Sequence, residues 1–389
     1  MKVVLHRSIL DIDAAAWDAT MDGSNPFVTH RFLAALERSR CIGAGTGWEP
    51  FLVTLVDERG LAAAAPGFIK NHSYGEFVFD FSWAQAYARF GLSYYPKLVV
   101  GAPFTPATGP RLLVRQGLDY KTTAASLSQS LREAAAESGF SSIHALFPAD
   151  RDRAQLADDN WLLRRDCQFH WRNHGYRDFD DFLETFTADK RKKVRRERRR
   201  VAEAGIEFES LYGDQITAAD LAAAWTLHRD TFLRHGHEPY LTLDFFQDAA
   251  RTLGRDFMIT LARRGGETIA AAVFFVGSDR LFGRYWGAAG DFHSLHFETC
   301  YHQGIEFCIR HGLNHFEPGT QGEHKISRGF EPTLTWSAHH IVDARFRTAI
   351  ADFVRREARA VDEYAAAVQL HVPYKDRRGV SSDEADACR

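Results

Sequence analysis

Cysteine is scarce in this 389-residue chain, and its placement excludes more than its number: Cys41, Cys167, Cys300, Cys308 and Cys388 form an odd set without a C-x-x-C pair. That argues against a disulfide framework or a cysteine-rich zinc site and fits a reducing compartment. Long apolar runs are missing too. No stretch approaches the roughly 20 residues that span a bilayer, and the opening MKVVLHRSILDIDAAAWDAT interrupts any signal-peptide core with His6, Arg7, Asp11 and Asp13. The expectation is a cytoplasmic protein without membrane insertion. Without G-x-S-x-G, a P-loop or H-E-x-x-H, serine-hydrolase, nucleotide-hydrolase and zincin readings have no support. His339 and His340 would face opposite ways in a strand, which disfavours a shared metal, and no metal site is expected.

What is present is ordinary globular composition, 45% hydrophobic and 25% charged, at a length that favours two domains. The net charge of −3 excludes a protein that is basic throughout, yet the charge is unevenly placed. Residues 190–200, KRKKVRRERRR, hold nine basic residues against one acid, Glu197. Such a block is either a solvated helix face or a site for polyanions.

Hydrophobic periodicity predicts a mixed α/β chain. In the first half, strands are expected at 51–56, 77–79 and 97–100, and helices at 29–38 and 124–138, the latter stopped by Gly139. Then come a strand at 163–171, one or two helices over 178–201, a strand at 206–211, and helices at 218–233 and 243–253. Strands at 258–262 and 269–276 flank a glycine hairpin turn. A strand at 280–286, a helix at 295–311 closed by Gly312 and a strand at 315–317 complete the series. Residues 1–172 read as one α/β domain, residues 173–374 as a second, and 375–389 as a polar tail; no internal repeat is visible.

Seven segments carry a resemblance: NPFVTHRFLAALE, KNHSYGEFVFD, YYPKL with PFTPATGPRLL, QFHWRN, FGRYWGA, LHFETCYHQGIE and EPGTQGEHKISRGFEP. From Asn25 to about Tyr364 the chain resembles the FemAB-like branch of the GNAT superfamily, often labelled peptidoglycan biosynthesis or recognition proteins. The resemblance implies two tandem GNAT-like domains, each a mixed, mostly antiparallel sheet flanked by helices. It also implies an amide-forming acyl transfer with no tightly bound cofactor. The donor would be aminoacyl-tRNA, as in Fem enzymes, or acyl-coenzyme A, as in other GNAT proteins; the acceptor would be an amine on a small molecule or peptide. A non-catalytic module that recognises cell-wall peptides is the alternative from another class.

Candidate residues follow from both readings. Lys192, Lys193, Arg195, Arg196 and Arg199 on the basic helix could grip tRNA phosphates, or be a solvated face with Val194 and Val201 as its apolar seam. Arg284 to Ala289 fits R-x-x-G-x-A, a weak pyrophosphate signature that would use Arg284 and the backbone at Gly287; otherwise Tyr285 and Trp286 are packing or acceptor contacts. His296 and Glu298, opening a helix, are candidates to orient or deprotonate the amine, though Glu298 also suits a helix N-terminus without any function. The stretch after Glu317 places Gln321, Glu323, His324, Lys325 and Arg328 on a glycine-hinged loop, which suits a site better than a core. A cation there could stabilise the oxyanion of acyl transfer. The Fem resemblance implies a lysine near a Gly-Phe pair, so Lys325 or Arg328 takes that role, unless the loop is a structural ion-pair network with Glu323. His72, Tyr74, Lys97 and His170 could line an acceptor cleft between the domains, or be interface packing.

Overall fold

The computed structural model describes residues 1–320 and 322–375. The expected polar tail, apart from Lys375, and the candidate Gln321 lie outside the described residues.

Strands of the first half are β1 (Lys2–His6), β2 (Glu49–Pro50), β3 (Leu52–Asp57), β4 (Gly60–Ala65), β5 (Gly67–Lys70), β6 (Lys97–Val100), β7 (Leu113–Val114), β8 (Ser142–Leu146) and β9 (Leu162–Arg172). The second half adds β10 (Ile206–Tyr212), β11 (Phe257–Arg264), β12 (Glu267–Val276), β13 (Arg280–Ala288), β14 (His315–Glu317) and β15 (Glu331–Ile341). They form a 4-stranded sheet, β1-β3-β4-β7, and an 11-stranded sheet in the order β10-β11-β12-β13-β14-β9-β15-β8-β6-β5-β2. The fold is α/β, with mixed and mostly antiparallel sheets flanked by helices.

Each half holds one parallel strand pair, and parallel neighbours need a crossover. β6 and β8 are joined through the helix Tyr120–Glu137, β13 and β14 through the helix over residues 295–311. The next strand in each case comes from the other half. β9 lies beside β14, β15 lies beside β8, and β9 and β15 pair with each other from Glu331↔His170 to His339↔Leu162. The halves therefore exchange strands. The helix Ala344–Gln369 returns with β15 and sets Phe346 and Ile350 against Trp83 and Tyr87 of the first half.

An apolar seam locks the halves further. Phe27 packs 4.9 Å from Phe275 and 5.0 Å from Phe282, and Phe32 lies 5.9 Å from Phe245. A shared core of this kind fixes the cleft between the halves instead of leaving it hinged. No helix among the described residues is long and apolar enough to cross a membrane.

Most expected elements are present with ends moved by a residue or a few. One is not: residues 77–79, expected as a strand, are loop, because β5 ends at Lys70 and the next helix, Phe81–Arg89, starts within a few residues. The loop 323–328 instead winds into a 3-10 turn.

Candidate active site

The loop after β14 is built around its lysine. Gly319 (φ +97°) turns the chain so that its carbonyl accepts from Lys325 Nζ at 2.7 Å. Gly329 (φ +91°) closes the 3-10 turn where a Cβ would meet the Phe182 ring at 2.7 Å. Lys325 is 2% exposed, and among the described residues no carboxylate pairs with it. Burial lowers its ammonium to about 7, and the nearby Arg284 guanidinium adds to that.

Lys325 faces a cavity of about 250 Å³ with Arg284, Trp286, His296, Cys300, Tyr301 and His324. Tyr301 and His324 Nε2 are hydrogen-bonded at 2.8 Å. The His296 ring lies 5.3 Å from Trp286 and 5.8 Å from His324; burial first, then the cations around it, pushes its imidazole to about 4. Burial likewise lowers the Arg284 guanidinium, which donates to the Phe104 carbonyl while its buried Nε has no partner. Tyr285 and Trp286 line the same wall and continue, with Gly319 and Thr320, into a second cavity of about 500 Å³ between the halves, where Tyr74 lies. Two basic side chains and several hydrogen-bonding groups thus line one cavity that opens to solvent. This arrangement can stabilise a developing oxyanion.

Several candidates sit elsewhere. Glu298 is not in the cavity. It lies two residues from His296, about half a turn around the helix, and so faces the opposite side. There its carboxylate accepts from Arg198 Nε at 3.1 Å and Gln303 Nε2 at 2.8 Å. Arg328 also turns away: it donates to Glu197 at 2.8 Å and lies 3.4 Å over the Phe297 ring. Glu323 accepts from the Tyr364 hydroxyl at 2.7 Å, so no ion-pair network joins Glu323, Lys325 and Arg328.

Arg284 to Ala288 lie within β13 and not in a loop opening a helix. Residues 284–288 continue β13 along β12, and the Ala289 N–H donates to the Ile269 carbonyl at 2.8 Å, while β14 pairs only with Arg280–Phe282, so the other edge of this segment has no strand neighbour among the described residues. Gly287 is there for packing, since a Cβ would lie 2.1 Å from the Leu227 backbone. His170 is buried in β9, 3.1 Å from the Gln168 amide oxygen, and burial drives it to about 4. His72 packs against Gly47. Lys97 is wholly buried against Glu76 and Asp80 and reaches neither cavity.

The basic block forms the helix Ala188–Glu203, with Val194, Glu197 and Val201 as its buried side. Glu197, the one acid in the block, was not singled out by sequence reasoning. It holds Arg328, which in turn donates to the His324 carbonyl at 2.7 Å, so this helix braces the turn that carries Lys325. On the outer face Arg195 pairs with Asp180 and Glu184, and Arg199 with Glu203. Lys192, Lys193 and Arg196 are exposed and form no salt bridge among the described residues. Among the described residues no group of His, Cys, Asp and Glu is arranged to hold a metal ion.

The candidate site is thus a cation-lined cavity at the end of the parallel strand pair of a mixed sheet. The chain belongs to the FemAB-like family, described as peptidoglycan biosynthesis/recognition, whose profile matches residues 8–376. A sequence search of curated proteins finds no match. Among solved structures the chain is similar to FemX (11% identity, 90% of this chain and 100% of that one, TM-score 0.55). It is also similar to the C-terminal domain of a putative lysylphosphatidylglycerol synthetase from Agrobacterium fabrum (13%, 91% and 98%, TM-score 0.52). A third is L-PGS from Bacillus licheniformis (13%, 83% and 94%, TM-score 0.50). At these identities the likeness is one of fold.

Proposed function

We propose that this protein is an acyltransferase that moves an aminoacyl group from aminoacyl-tRNA to an amine acceptor, directly and without a covalent enzyme intermediate. The observation that carries the reading is Lys325, a buried ammonium with no carboxylate partner, aimed into a cavity beside Arg284. The amine nitrogen attacks the ester carbonyl carbon and the C–N bond forms. The C–O bond to the terminal ribose breaks, and the proton lost by nitrogen goes to the departing ribose hydroxyl. Negative charge develops on the carbonyl oxygen, and Lys325 is the group that stabilises it. His296, held neutral, serves as a hydrogen-bonding wall and not as the base.

The donor assignment is supported by the free cations of the basic helix, which lie on the outside of the same element that braces the Lys325 turn. Acyl-coenzyme A is the competing reading, and it gives the exposed cations of this helix no role. The direct test is product formation from a labelled aminoacyl-tRNA pool, with acyl-coenzyme A as the competing donor. Replacing Lys192, Lys193 and Arg196 by Gln together is expected to leave the fold unchanged. It should also reduce the slope of log affinity against log salt by about 2 to 3, since each phosphate contact contributes roughly 0.7 to 0.9. A variant with the wild-type salt slope removes this helix from donor binding.

The same reading fixes a pH dependence. Lys325 supplies its charge only when protonated, so kcat should fall as pH rises through about 7. That falling limb should vanish in Lys325→Met. A rate that instead rises through this range, and loses the rise in the variant, would make Lys325 a base.

A further inference from the structure

The larger cavity opens from the reactive one across Arg284, Tyr285 and Trp286, and its walls differ in character. One side is the segment 74–81, which presents Tyr74, Phe77, Phe79 and Phe81; the other presents Phe232 and Tyr240. Tyr74, Phe79 and Phe81 are 62%, 55% and 49% exposed. Large apolar rings left open to water and gathered in one place mark a surface that something covers. Phe79 and Phe81 are stacked with centroids 6.2 Å apart, and Tyr74 lies 6.4 Å from Phe81. Phe104 stacks behind Tyr240 at 4.9 Å and stiffens the far wall. Thr231, His235 and His237 supply polar groups at the rim. No Lys, Asp or Glu lines this cavity among the described residues, and Arg284, at the shared wall, already donates to the Phe104 carbonyl.

From this we infer that the aromatic cleft holds the acceptor, and that the acceptor is an amine on an apolar, ring-bearing body without a phosphate. The inference deepens the reading under Proposed function and rests on it. The volume, about 500 Å³, is that of a drug-sized ligand site. Ring faces offer stacking to an apolar body and a favourable field to an approaching ammonium. A phosphorylated or nucleotide-linked acceptor would need paired cations along the cleft, as phosphates are held by charge-assisted hydrogen bonds, and the lining provides none beyond Arg284. The basic helix lines neither this cleft nor the reactive cavity. Continuity through Arg284, Tyr285 and Trp286 lets an amine seated in the cleft extend its nitrogen to the carbonyl beside Lys325.

The test is calorimetry on the full chain with four probes: 2-phenylethylamine, ethanolamine, uridine diphosphate and adenosine. The aryl amine is expected to bind at least about 10-fold more tightly than ethanolamine. Phe79→Ser with Phe81→Ser, both exposed and outside the reacting groups, should abolish that difference with an unchanged unfolding midpoint. Equal affinities for the two amines, or a preference that survives the double variant, overturns the inference. So does uridine diphosphate or adenosine taking the cleft, the latter marking a stacking platform for the terminal base of the donor. Lys325→Met should bind the aryl amine as the wild type does. If that variant stays fully active while the aryl preference holds, the reaction reading fails and the cleft assignment stands.

Discussion

Replacing Lys325 by Met is expected to lower kcat by roughly 100-fold or more, with little change in donor or acceptor affinity and no loss of stability. The first part follows from removing a fixed cation, since loss of one oxyanion donor costs on the order of 100- to 1,000-fold. The second part separates catalysis from architecture. A lysine that held the loop through an ion pair would take stability with it when removed, but this ammonium has a carbonyl, Gly319, as its partner. Its charge is penalised by burial, and its folded value of about 7 lies below the ordinary 10.5. The unfolded chain therefore binds the proton more readily between those values, so this group's contribution to stability rises with pH across that window. Activity that depends on the charged form runs the other way. Met fills similar volume without the charge, so thermal unfolding at or below pH 7 should occur at the wild-type temperature or above it. An early-melting, active variant would make Lys325 a structural residue. Unchanged turnover with weakened substrate affinity would make it a binding residue only.

Why the sequence singled out the Lys325 loop but set Glu298 and Arg328 in the same cavity is a matter of which interactions are local. Glycines around a dense set of polar side chains mark a loop that is free to present them, and that signal needs no tertiary knowledge. Helices and strands of the second half were legible for the same reason, since apolar period and glycine caps act within a few residues. Glu298 was placed with His296 because both open one helix. Separating them required the ordinary helix phase, which turns residues two apart to opposite sides, and an Arg198 that is 100 residues away. Glu197 looked like a single acid diluting a basic run; its period with Val194 and Val201 was the available sign that it faces inward. β15 and the helix Ala344–Gln369 were not assigned, although Leu334, Trp336 and Ala338 alternate with Thr333, Thr335, Ser337 and His339, a period-2 pattern that was available in the sequence. The strand exchange between halves has no local signature at all. For the cleft, residues 77–79 were read as a strand. In the fold they are loop, and Phe79 stands open beside Phe81 at the start of the next helix.

Lys97 gives the other large expected effect, and it falls on stability. Lys97→Met should cost about 3–5 kcal/mol of unfolding free energy, the range for stranding one partner of a buried ion pair. Lys97 is wholly buried, donating to Glu76 at 2.8 Å, to Ser73 at 2.9 Å and to Asp80. Burial alone would lower its ammonium, but the two carboxylates more than offset that and raise it. Burial lifts Glu76 to about 7; burial would lift Asp80 as well, but the Lys97 charge and the hydrogen bonds from its neighbours hold Asp80 down. The cluster continues inward: Tyr94 donates to Asp80 at 2.5 Å and lies 3.2 Å from His144, whose Nδ1 is 2.6 Å from His339 Nδ1. With the cation gone, both carboxyls are pushed above their unfolded values. A carboxyl raised in this way is tolerated below the unfolded value and loses stability as pH rises through the folded one. The deficit of the variant should therefore be greatest at neutral pH and above, and shrink toward pH 4. Adding Glu76→Gln and Asp80→Asn removes the stranded charges, so the triple variant should recover most of the loss. Denaturant midpoints across pH measure all of this. Lys97 lines neither cavity, but Ser73, Glu76 and Asp80 belong to the segment that walls the aromatic cleft, so any loss of acceptor affinity should accompany the loss of stability and be restored with it in the triple variant. A Lys97→Met protein that keeps its stability and loses acceptor affinity would return this lysine to the substrate site where its charge and aromatic neighbours first suggested it.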